Sequence, residues 1–141
     1  MLAAGLGSRY GGLKQLEALG PSGETLLDYG IYDAIRAGYS RAVLVIRAEL
    51  ESAFRERVEG RFGDAIEIDF AFQSIDQVPE GVSVPAERRR PWGTGHAVLA
   101  ARRQVSDPFV VMNADDFYGR VAYGALADHL HRNAGPNPLE F

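Results

Sequence analysis

The sequence predicts an α/β fold, a mostly parallel sheet with helices on both faces. Three observations predict it. Short apolar or alternating runs, which suit strands, are separated by stretches with apolar residues every third or fourth position, which suit helices. That alternation calls for right-handed βαβ crossovers and hence parallel strands. Finally, polar clusters follow several of the strands directly, and open sheets of this kind bind ligands outside the carboxyl ends of their strands.

The elements follow in order. Leu2-Ala3-Ala4 reads as the tail of a buried strand cut short. "GPSGE" at 20–24 is a turn by composition. From Thr25 onward, Leu27, Ile31 and Ile35 recur with Ala34 beside them until Gly38, an amphipathic helix closed by a glycine. "RAVLVIR" at 41–47 is a continuous apolar run, as in a central parallel strand. Leu50, Phe54 and Val58 mark a second helix, and "IEIDFAF" at 66–72 alternates as a strand does. A long irregular loop over 73–92 follows, and long loops in compact domains are often functional. Thr94 then stands as an N-cap before a helix through Ala97, Val98 and Ala101. "PFVVMN" at 108–113 is a further buried strand, ending at Asp115-Asp116. A last helix carries Leu126 and Leu130 into "AGPNPLEF", whose glycine and prolines end it.

Composition narrows the function. At 141 residues the chain forms a single domain, 1–141, with 46% hydrophobic and 24% charged residues. A net charge of -4 offers no support for binding nucleic acid or an anionic membrane surface. The absence of cysteine removes disulfides, thiolate zinc ligands and a cysteine nucleophile. No apolar run approaches the roughly 20 residues of a membrane span. Cytoplasm is the default compartment.

Three stretches carry candidate chemistry. "MLAAGLGSRYGGLKQL" places Gly5, Gly7, Gly11 and Gly12 with Ser8, Arg9 and Lys14 after the first strand. Such a loop presents backbone N–H groups to a polyphosphate, with Arg9 as a planar fork and Lys14 as a compact charge. Taken alone, it is also a flexible turn with solvated charges. A dinucleotide fingerprint fits poorly, because the glycine after Gly5 and Gly7 falls at 11 and Lys14 has no part in it. "NADDFYG" at 113–119 ends a strand with two carboxylates, enough for Mg²⁺ when phosphates and water complete its shell; a helix-capping pair is the alternative. "PWGTGHA" at 91–97 brings Gly93 and Thr94 to a helix start, where a flat base approaches the backbone closely, although a simple turn reads the same way. His96 receives no acid–base role, and Arg88-Arg89-Arg90 reads as a solvated charge run.

Together these stretches resemble the sugar-1-phosphate nucleotidyltransferases. "LAAGLGSRYGGLKQL" is similar to the family's signature loop, and "PWGTGHAVLAA" and "VVMNADDFYG" resemble its next two blocks, in order and over nearly the whole chain. The likeness is greatest to the bacterial branch reading "GSRYGGLKQL". The resemblance implies a Rossmann-like, doubly wound α/β sandwich. It also implies transfer of a nucleotidyl group from a nucleoside triphosphate, UTP or dTTP, to a sugar 1-phosphate, with Mg²⁺ as cofactor and pyrophosphate as second product.

Carried over by position, Leu2, Ala3, Ala4, Gly5, Gly7 and Ser8 wrap the nucleotide. Arg9 and Lys14 are the catalytic cations, acting on the triphosphate and on the incoming sugar phosphate. Gln73 reads the base with Gly93 and Thr94, and Asp115, with Asp116 beside it, holds the metal. The family extends beyond this chain at both ends, with more of the first strand before it and a sugar-binding half after it. The expectation is therefore a nucleotide-binding half that binds nucleotide better than it turns over sugar phosphate, or a non-catalytic module of the same origin. A homo-oligomer, formed by pairing of the incomplete sheet, is left open.

Overall fold

A computed structural model describes residues 1–5 and 16–132. The chain is a mixed α/β protein, with helix α1 over Leu26–Arg36, strand β1 over Arg41–Ile46 and helix α2 over Glu51–Phe62. Strand β2 (Glu67–Phe72), helix α3 (Thr94–Ala100) and helix α4 (Gly119–Arg132) complete it. The segment after Arg132, including all of "AGPNPLEF", lies outside the described residues.

Local chemistry explains α1. Thr25 accepts from the Asp28 backbone N–H at 3.1 Å, and the Asp28 carboxylate accepts from the Thr25 N–H at 2.8 Å. This reciprocal box satisfies two amide donors that a helix start otherwise leaves open. Leu27, Ile31 and Ala34 are buried at helical spacing, and Gly38 follows at φ +86°, a left-handed value that favours glycine. Arg57 of α2 donates to both Asp28 oxygens and to the Gly23 carbonyl, tying the second helix to the start of the first.

β1 and β2 pair in parallel from Arg41 opposite Glu67 to Ile46 opposite Phe72. The first residues extend this ladder. Ala3 N–H donates to Val45 at 2.8 Å, and Val45 N–H donates to Met1 at 2.9 Å. On the other side, Leu2 N–H donates to Met112 at 2.7 Å, and Ala114 N–H donates to Leu2 at 2.9 Å. The lateral order is therefore β2, β1, residues 1–3, then 112–114, with every contact parallel. Alternation along β1 divides the core. Ala42, Leu44 and Ile46 join side chains of α1, α2 and α4, while Val45 joins Ala97 and Ala101 at α3. Helical side chains thus cover both faces of the strands.

Three expectations are corrected. Residues 108–113 are not a buried strand: they meet the sheet through the single bridge Leu2–Asn113, and Phe109 and Val111 are 52% and 46% exposed. The physical reason is a missing neighbour: between Arg41–Val43 and 108–111 lies a cleft of about 640 Å³ where no described strand runs, so nothing pairs alongside Phe109 and Val111. Thr94 is not the N-cap of α3. Gly93 is, since its carbonyl accepts from the N–H groups of His96 and Ala97 at 3.1 and 3.2 Å. On α4, Tyr123 and Ala127 are the buried residues, whereas Leu126 is exposed and Leu130 half-buried.

Candidate functional site

Strand ends build the candidate site. In a parallel array all carboxyl ends emerge at one edge. The register places Phe72 opposite Ile46, and Leu2 opposite both Val45 and Asn113. Gly5, Gln73 and Asp115 therefore leave the same edge, from three different strand positions. The strand positions that lead into Gln73 and Asp115 are three strand spacings apart, or about 14 Å.

Leu2 is half-buried between its two partners. Ala3 and Ala4 are buried, and Gly5 is exposed where the chain leaves the sheet. Gly7, Ser8, Arg9 and Lys14 lie outside the described residues.

Gln73 follows β2 directly and is 7% exposed. Its backbone N–H donates to Ile46 at 2.8 Å, extending the ladder by one bond. Its side-chain Nε2 donates to the Trp92 carbonyl at 3.0 Å and approaches the Gly93 carbonyl at 3.5 Å. The same nitrogen lies 3.1 Å from His96 Nδ1. Gln73 is thereby brought together with the Gly93-Thr94 turn. Thr94 opens α3 and is exposed, and a methyl group built on Gly93 meets nothing within 4 Å. Internal packing does not require glycine at that position.

The loop over 73–92 contains no helix or strand, yet it is pinned at several points. Trp92 Nε1 donates to the Ile75 carbonyl at 2.9 Å, and His96 Nε2 meets the Gln77 carbonyl at 2.5 Å. Arg88 stacks on Trp92 rather than standing in solvent, which corrects the reading of that residue as part of a solvated run. Arg89 donates to the Ala86 carbonyl at 2.9 Å within the loop.

Asp115 and Asp116 turn away from the sheet after Asn113. Asn113 Nδ2 donates to Asp116 Oδ2 at 2.9 Å, and the Tyr118 hydroxyl lies 3.3 Å from the same oxygen. That hydroxyl also accepts from the Asn113 N–H at 3.1 Å. Asn113 and Tyr118 thus hold the Asp116 carboxylate, a role the motif contains but its spacing does not reveal. Among the described residues no group of three or more His, Asp or Glu side chains gathers around a common point. The donor set still fits Mg²⁺, which takes one or two carboxylates and completes its shell with phosphate oxygens and water. A zinc-type cage of several protein ligands does not fit it.

No helix among the described residues is long and apolar enough to cross a membrane. Compared with models of protein families the chain matches none, and compared with curated proteins it likewise matches none.

Proposed function

We propose that the chain is the nucleotide-binding half of a sugar-1-phosphate nucleotidyltransferase, with the Rossmann-like, doubly wound topology that the motifs imply. The observation that carries the reading is the shared edge: Gly5, Gln73 and Asp115 end three parallel strand positions at one rim. The span from Gln73 to Asp115 suits a nucleotide with its base at one end and its phosphates at the other. The open space beside Gly93 supports the same reading, since a flat base can occupy it.

In this proposal residues 2–5, with Gly7 and Ser8, wrap the nucleotide, and Gln73, Gly93 and Thr94 receive the base. Asp115, with Asp116 beside it, holds Mg²⁺, which supplies neutralisation of phosphate charge when bound. Arg9 grips the triphosphate and stabilises the departing pyrophosphate, while Lys14 aligns the α-phosphate with the sugar phosphate. A sugar phosphate is already an anionic nucleophile, so no general base is needed. Alignment and charge neutralisation are the whole of the protein's task.

Calorimetric titration with UTP, dTTP, CTP and NADH, with and without Mg²⁺, tests this. Mg²⁺-dependent triphosphate binding supports it, and preference for NADH overturns it. Pyrophosphate release with a panel of sugar 1-phosphates then separates an enzyme from a non-catalytic nucleotide-binding module.

A further inference from the structure

The carboxamide of Gln73 has two hydrogens, and the structure spends both on protein acceptors. One goes to the Trp92 carbonyl at 3.0 Å, the other to His96 Nδ1 at 3.1 Å. A carbonyl can only accept, so the atom facing Trp92 is the nitrogen, and the amide orientation follows from the network. His96 Nδ1 must then accept. Its ring proton is on Nε2, which donates it to the Gln77 carbonyl. A single directional chain runs from Gln73 through the imidazole to the loop backbone. The trigonal geometry of the amide turns Oε1 away from these partners.

We propose that His96 is a positioning residue that holds Gln73 with its carbonyl outward, so that the site selects a base offering a ring N–H, uracil or thymine, over cytosine. The inference rests on the nucleotide-binding reading above and adds to it the residue that sets base polarity. Uracil and thymine carry N–H at N3, where cytosine carries a lone pair. An acceptor facing that lone pair leaves two polar groups without partners, a loss of about tenfold or more in affinity. Without His96, the amide nitrogen keeps the Trp92 carbonyl and the more distant Gly93 carbonyl but loses its second fixed acceptor, so its orientation is held less firmly and the discrimination weakens.

The test uses the whole chain and UTP, dTTP and CTP as probes, titrated into wild type, His96→Phe and His96→Asn. Wild type should prefer UTP or dTTP over CTP by about tenfold or more, and His96→Phe, in which the Trp92 carbonyl alone holds the amide closely, should show a clearly smaller preference. His96→Asn, whose Oδ1 takes the place of Nδ1, should keep it. ¹⁵N NMR of wild type should show the Nε2–H tautomer and a Gln73 side-chain amide slow to exchange. Triphosphate binding with an unchanged preference in His96→Phe, a wild type preferring CTP, or an Nδ1–H tautomer overturns the inference alone. Wild type that binds none of the three overturns the nucleotide reading, and this inference with it. If His96→Phe does not fold, the tautomer and the Asn variant still decide.

Discussion

The guanidinium of Arg88 lies 3.5 Å from the centre of the Trp92 ring, and its Nη2 donates to the Pro91 carbonyl at 3.2 Å. Neighbouring arginines in one basic run therefore have different tasks. Arg88 clamps the loop through a cation–π contact, worth about 0.5–2 kcal/mol depending on desolvation. Trp92 is the sole tryptophan, so its emission reports on this loop. Arg88→Ala should shift that emission to the red and speed proteolysis within 73–92. Arg89→Ala should leave both near wild type.

Asp28 is nearly fully buried and is shared between the α1 capping box and Arg57. Removing one partner of a buried pair leaves the other charge poorly compensated, at about 3–5 kcal/mol. Asp28→Ala should therefore lower the urea midpoint far more than Thr25→Ala. The latter loses only a cap, about 1 kcal/mol.

Gly30 faces the α4 side chain Tyr123, and a methyl group at residue 30 would stand 2.8 Å from the Tyr123 hydroxyl. Alanine in a helix interior gains about 1 kcal/mol over glycine. Forcing a packed interface apart costs about 1–3 kcal/mol, so here the clash wins. Gly30→Ala should lower Tm in wild type, yet be neutral or stabilising in a Tyr123→Phe background. Equal losses in both backgrounds would exclude this contact as the cause.

For the proposed site, Arg9→Ala and Lys14→Ala should each weaken Mg²⁺-UTP binding about tenfold or more, as expected for cations on phosphate. Asp115→Asn should reduce the difference between titrations with and without Mg²⁺. Arg89→Ala should change binding little. Were Arg89→Ala the most damaging of the set, the site would have to be moved to the long loop.

Where sequence and structure agree, the signal is local. Leu27, Ile31 and Ala34 announce α1 because helical periodicity and burial coincide there, and Gly38 ends it because only its left-handed backbone does so cheaply. The alternation of Ile66, Ile68, Phe70 and Phe72 likewise marks β2. Phe109 and Val111 mislead for the complementary reason: an apolar run is buried only if a neighbour lies alongside it, and composition cannot report the neighbour. The residues of the candidate site could be named from motifs, but the partners that orient them could not. Gln73, Gln77 and Trp92 are spread across an irregular loop with no period to read, and His96 joins them from the first turn of α3. Asn113 and Tyr118 flank the acidic pair closely, yet their hold on Asp116 depends on a turn that spacing alone leaves undefined.

The chain's first three residues lie between β1 and residues 112–114, and Leu2 is bridged to Asn113. Residues 112–114 stand much farther along the sequence from that segment than β1 does. Closing such a distant contact is slow relative to forming helices or joining β1 to β2. During refolding the Leu2 N–H, which donates to Met112, should therefore gain protection from hydrogen exchange later than the amides of the β1–β2 ladder.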